Sequence, residues 1–203
     1  MIEAGQSWPT ETDVVEIRAE LSRFGVDPEV QVALVEKLRV GEVWDSLKPG
    51  ASPIDETTVT DTRRVTTLMR YADGSVKAST VSVPQSGGGV EPRGVSECIV
   101  TNATSYGYWA RDCHVAEHWV LFGLDFRFDW ESIRGSSPEI TNYGTAGQFC
   151  VGCTIGGLQF SRVNRADVRL TGHPVFPMPI PVSDTLTIGV KIVNSAAQSY
   201  SLS

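Results

Sequence analysis

Cys98, Cys113, Cys150 and Cys153, the pair His114 and His118 with Glu117 between them, and the carboxylates Asp125, Asp129 and Glu131 all fall in one stretch of the chain. Cys150-Val151-Gly152-Cys153 has the spacing of a redox dithiol, of half a zinc site or of a tight local disulfide. A redox pair ordinarily sits at a helix N-terminus that lowers a thiol pKa, whereas Phe149 and Thr154-Ile155-Gly156-Gly157 around this one read as strand and turn. A four-cysteine zinc ribbon needs two close pairs, and fourteen residues intervene between Cys98 and Cys113. Structural disulfides are the leading use of all four cysteines. Spacing alone leaves the role of Cys150 and Cys153 open.

His114 and His118 share a face in either a strand or a helix. Their order, His-Val-Ala-Glu-His, is not the His-Glu-x-x-His of zinc proteases, and His173 is remote in sequence. Asp125 and Asp129 flank Arg127 on one side of an extended chain, so a solvated mixed-charge face competes with a glycosidase-type carboxylate pair. Neither a Gly-x-Ser-x-Gly elbow nor a phosphate-binding Gly-x-x-x-x-Gly-Lys loop occurs. Tyr106, Tyr108, Trp109 and Trp119 remain as candidate binding residues. Aromatics on a stapled loop offer stacking faces to a sugar or anchors to a protein partner, and the competing role is to cap one end of the fold. No residue is assigned to catalysis or to a metal, and no cofactor is implied.

The elements that must hold these groups are mostly strands. Val120, Phe122, Leu124, Phe126, Phe128 and Trp130 alternate with Leu121, Gly123, Asp125, Arg127 and Asp129, the period of a half-buried strand. Further strands are expected over 94–101, 108–115, 139–143, 148–154, 158–163, 166–170 and 186–193, with Gly and Pro turns between them, which suggests a β-sandwich or open barrel. Ahead of them, Asp13 with Glu16 reads as an N-cap pair before Val14, Ile17, Leu21 and Phe24, and Gly25 as the stop. Asp27-Pro28-Glu29 starts a second helix that ends near Gly41, so a helical hairpin is expected. A β-hairpin over 57–83 turns at Asp73-Gly74. The resulting fold class is mainly β (α+β), in four segments: helical hairpin and linker 1–56, β-hairpin connector 57–84, flexible Gly-rich linker 85–92 and a β-sandwich-like domain 93–203.

With 203 residues, 41% of them hydrophobic, the chain is long enough for one sizeable core. A net charge of -7 lacks the basic footprint that nucleic acid requires. No run approaches the roughly 18 to 20 apolar residues of a membrane-spanning helix. The opening Met1-Ile2-Glu3-Ala4 has neither the basic nor the apolar part of a signal peptide, so the numbering fits a cytosolic protein or a mature form with an added Met, and the even cysteine count favours the latter.

The helical lead-in ending in Gly41-Glu42-Val43-Trp44-Asp45-Ser46, the Tyr71-Ala72-Asp73-Gly74-Ser75 turn, the Gly-rich linker, and Cys98 and Cys113 framing a Tyr-rich segment together resemble uncharacterised secreted proteins of actinobacteria. The resemblance implies export and a Cys98–Cys113 disulfide; it implies no activity, and Cys150-x-x-Cys153 is not part of its pattern. The expected function is a secreted, extracellular binding module without catalysis, whose partner would be a glycan or a cell-envelope protein. The alternatives are a secreted hydrolase using a carboxylate or metal site, and a secreted toxin or effector with the helices as a pro-segment.

Overall fold

The structure, a computed structural model, describes residues 8–86, 98–177 and 185–202. Among these residues two helices, α1 (Glu11–Arg23) and α2 (Pro28–Arg39), and a 3-10 turn (Asp45–Leu47) precede twelve strands. These are β1 (Asp55–Thr60), β2 (Arg64–Arg70), β3 (Val76–Ser82), β4 (Gln85–Ser86), β5 (Ile99–Thr104), β6 (Gly107–His118), β7 (Phe122–Ile133), β8 (Glu139–Cys150), β9 (Thr154–Asn164), β10 (Asp167–Val175), β11 (Leu186–Val193) and β12 (Ala196–Leu202). The protein is mainly β, with two N-terminal helices followed by two sheets.

Strand β6 organises the larger sheet. All along one edge it pairs with β7, and β7 with β8; along its other edge the first half pairs with β5 and the second half with β3. Through β3 the meander β1–β2–β3 joins the same sheet, so the segment expected as a connector is continuous with the strands after Cys98. The second sheet has the order β12-β11-β10-β9. Alternation decides which side chains face it: Phe126, Phe128 and Trp130 of β7 are buried together with Val168, Leu170, Ile188 and Val190 of the second sheet. Each large apolar side chain so buried contributes about 1.5–3 kcal/mol. All four cysteines are paired: Cys98–Cys113 staples the start of β5 to β6, and Cys150–Cys153 closes the turn where the chain passes from the first sheet to the second.

The helices close one end of this core. Ile17, Leu21, Leu34 and Leu38 belong to the same buried cluster as the strands. Trp44, fully buried, donates its indole N–H to the Leu34 carbonyl at 2.8 Å. Asp73, in the β2–β3 turn, ties that end together by accepting from the Asp45 amide at 3.0 Å, from Lys37 at 3.1 Å and from Ser75. Burial alone would raise this carboxyl, but the bonds from Ser75, the Asp45 amide and Lys37 outweigh it and hold the group below the usual carboxylate range.

Several local expectations shift. Helix α1 is capped by Thr10, with Asp13 as the reciprocal partner rather than the cap, because the Thr10 hydroxyl accepts from the Asp13 amide while the Asp13 carboxylate accepts from the Thr10 amide at 2.8 Å. The first arm of the expected hairpin is two strands, broken where Asp61 accepts from the Arg63 and Arg64 amides at 2.6 and 2.7 Å. Strand β7 begins at Phe122, with Val120 in the preceding turn at φ 68°. The strand expected at 139–143 and the first part of the one expected at 148–154 are one strand, β8, which runs through Gly144 and Gly147 to Cys150; 151–153 form the turn and Thr154 begins β9. Gly147 is a close-approach glycine and not a turn glycine: a Cβ there would lie 2.2 Å from Oδ1 of Asp125. Of the expected 85–92 linker, Gln85 and Ser86 form β4 and the rest lies outside the described residues.

Candidate binding site

Three hairpin tips converge at the end of the sandwich away from the helices: Ser105-Tyr106 between β5 and β6, Arg134-Gly135 between β7 and β8, and Asn194-Ser195 between β11 and β12. Each is held by its neighbours. The Arg134 amide donates to the Tyr106 carbonyl at 2.6 Å, the Tyr108 hydroxyl donates to the Ser195 carbonyl at 2.9 Å, and the hydroxyls of Ser132 and Ser195 are 2.7 Å apart. Asn194 and Ser195 both have left-handed backbones, φ 50° and 60°, as a two-residue turn matched to strand twist requires. Gly107, beneath Tyr106, allows β6 and β7 to approach: a Cβ there would lie 2.4 Å from the Ser132 carbonyl oxygen and 2.9 Å from the Ile133 Cα.

Between these tips the two sheets gape, leaving a cleft of about 810 Å³. Its walls are small and aliphatic, including Val65, Val81, Val100, Ala103 and Ala196. Tyr106, 73% exposed, stands over it. Burial pushes the Tyr108 phenol up, so this hydroxyl stays a neutral donor to Ser195. Among the described residues Arg134 is the one formally charged residue lining the cleft, and its guanidinium has no hydrogen bond or ion pair there.

The four aromatics singled out in the sequence separate. Tyr106 and Tyr108 come to the cleft. Trp109, on the outer face of the larger sheet, donates its indole N–H to Glu131 at 2.7 Å and does not line the cleft. Trp119 lies beyond the far end of β6, 4% exposed, against Phe122 at 5.3 Å and beneath the Lys77 ammonium at 4.9 Å. A ring so enclosed has no face to offer a ligand.

The histidines and carboxylates each find separate partners. His114 pairs with Asp125 at 2.9 Å on the outer sheet face; His118 pairs with Glu20 of α1 at 3.0 Å and stacks on Phe149. Burial pushes the His118 imidazole below its ordinary value against the opposing pull of Glu20. Glu117, between them in sequence, points the other way into the space between the sheets and is 2% exposed. Asp129 accepts from the Asp112 amide at 2.8 Å, and Arg127 pairs with Asp112 at 2.8 Å. Among the described residues no group of three His, Cys, Asp or Glu side chains could hold a metal.

Arg134, Ala103 and Ser195 were not singled out by sequence reasoning, since nothing in their local spacing links segments so far apart. A readable signal did exist for one wall: Asn194-Ser195 directly after the alternating run Leu186–Val193 marks a hairpin, and hence a further strand, β12. The chain matches no protein-family model, no curated protein and no solved structure.

Proposed function

We propose that this protein is an exported binding module that acts without catalysis and takes its ligand in the cleft at the three hairpin tips. The observation that carries the reading is the cleft itself, an apolar concavity whose size falls within the roughly 300–1,000 Å³ usual for small-ligand sites, held on paired strands. The tips around it support the reading by their residues: Ser105, Tyr106 and Gly107, then Arg134, Gly135 and Ser136, then Asn194 and Ser195. Tyr, Ser, Gly and Asn with an occasional Arg are the composition of binding loops, where a rigid aromatic supplies contact area and small polar residues adapt. Two disulfides support an oxidising compartment, and no helix among the described residues is long and apolar enough to cross a membrane. Valine, alanine and proline supply about half of the lining residues, with Tyr106, Tyr108 and the hydroxyls of Ser105, Ser132 and Ser195 toward the tips, and this aliphatic share favours a ligand with an apolar body over a glycan.

Anilinonaphthalene sulfonate, a fluorophore with an apolar ring system and an anionic sulfonate, tests the cleft. One saturable site per chain is expected, weakened by roughly tenfold or more in Ala103→Trp, where the exposed wall residue fills the cavity. Dye affinity that is indifferent to Ala103→Trp contradicts the assignment.

A further inference from the structure

On the reading of the cleft as the binding site, we infer that its ligand is an anionic amphiphile: an aliphatic body between the two sheets and a carboxylate or similar anion held by Arg134. The aliphatic part of the lining accepts hydrocarbon, and the hydroxyls of Ser82, Thr104, Ser105, Ser132 and Ser195 are interspersed with it. Val65 and Val81 of the larger sheet, Val100 and Ala103 of β5, and Ala196 and Ala197 of β12 line the space. These valines and alanines supply surface to bury and no hydrogen-bonding side chain of their own, so they select for apolar shape.

The rim supplies the polarity, and it carries a single sign. Among the described residues no Asp, Glu, Lys or His lines the cleft, and Arg134 is the one formal charge there, on a chain whose net charge is -7. Several other surface arginines are engaged, Arg127 with Asp112, Arg165 with Glu139, and Arg39 with Glu11 and Glu36, whereas Arg18 and Arg111 stand on open surface away from the cleft. Among the described residues Arg134 has no side-chain partner at the mouth of the cavity, and its main chain is fixed by the bond from its amide to the Tyr106 carbonyl. A guanidinium presents a planar fork of donors suited to a carboxylate or phosphate, and such charge-assisted bonds are stronger than neutral ones. The exposed Tyr106 hydroxyl is a second donor or acceptor at the same rim. An acyl chain ending in an anion satisfies both parts; a neutral-headed amphiphile satisfies the walls and leaves Arg134 without its partner.

Isothermal titration with dodecanoate and with dodecyl maltoside, both at monomer concentrations, separates the two levels of the inference. Dodecanoate is expected to bind one per chain, to weaken roughly tenfold in Arg134→Gln, and to lose binding in Ala103→Trp. Ala196→Glu, which sets a negative charge in the wall, is expected to oppose dodecanoate more than the maltoside and guards against a Trp that disturbs folding. Dodecyl maltoside is expected to bind more weakly than dodecanoate and to ignore Arg134→Gln. If both amphiphiles bind equally, Arg134→Gln changes neither and the wall variants abolish both, the anionic class is overturned while the cleft stands. If neither probe binds, or binding ignores Ala103→Trp and Ala196→Glu alike, the cleft assignment falls with it.

Discussion

Lys77→Met is expected to lower folding stability by about 3–5 kcal/mol at neutral pH, the cost of leaving one member of a buried ion pair alone. Lys77 reaches between the sheets from β3, its ammonium 3.1 Å from Oε2 of Glu117, hydrogen-bonded to Ser201 of β12 and lying over the Trp119 ring. The two side chains are 11% and 1% exposed. Ser79 donates to the other Glu117 oxygen at 2.5 Å and also meets Ser199, so this polar chain bridges the larger sheet to the edge strand of the smaller one. Burial pushes the Glu117 carboxyl up, while Lys77 and Ser79 pull it back.

Without Lys77 only burial and the Ser79 bond remain, and the carboxyl rises further. A carboxyl whose folded pKa lies above its unfolded value favours folding below the unfolded pKa and loses that contribution as pH rises through the folded one. The deficit of Lys77→Met is therefore largest at neutral pH and narrows on acidification, as Glu117 takes up a proton. Lys77→Met combined with Glu117→Leu is expected to recover most of the loss, since an apolar pair replaces an ion pair at little cost. Urea unfolding of the three proteins at neutral and mildly acidic pH measures this; a single-variant loss under about 1 kcal/mol would mean that solvent reaches the pair.

The second large effect belongs to Cys98–Cys113. Replacing both by serine is expected to cost about 3 kcal/mol from loop closure, or roughly 6–12 °C in Tm for a chain of this size. The bridge spans 15 positions and fixes β5 to β6, its paired neighbour; among the described residues the other edge of β5 meets just the two-residue β4. Cys150–Cys153 spans 3 positions, and its removal is expected to cost about half as much, ~1.5 kcal/mol. The two losses also differ in place. Loss of Cys98–Cys113 frees the hairpin that carries Tyr106 and is expected to speed amide exchange over 99–104, whereas loss of the second bridge acts at the corner between sheets. Equal costs for the two removals would contradict the loop-closure account.

The parts of this fold legible in the sequence are those in which one period or one turn governs a whole element. The alternation from Phe122 to Trp130 and from Leu186 to Ile192, the helix signals around Ile17, Leu21 and Leu34, and the Asp73-Gly74 turn with Gly74 at φ 83° all correspond to elements or turns in the structure. What stayed illegible depends on a neighbour distant in sequence. Gly147 looks like a turn residue until the Asp125 carboxylate is seen lying across it. Glu117 looks like a companion to two histidines, yet strand alternation sends it inward to Lys77. Trp119 looks like a displayed aromatic, yet the chain turns immediately after β6 and encloses it. The cleft draws its walls from β2, β3, β5, β6, β7 and β12, and no local pattern joins those six.

The most direct test of the binding assignment is a map of backbone amide shifts while a mixture of small apolar and anionic fragments is titrated into the folded, oxidised protein. Perturbations concentrated at 103–108, 134–135 and 194–197, with Val100 and Val81 responding behind them, are the result expected of a cleft that binds. Perturbations that cluster instead around His114 and Asp125, or that scatter without a common site, would contradict it.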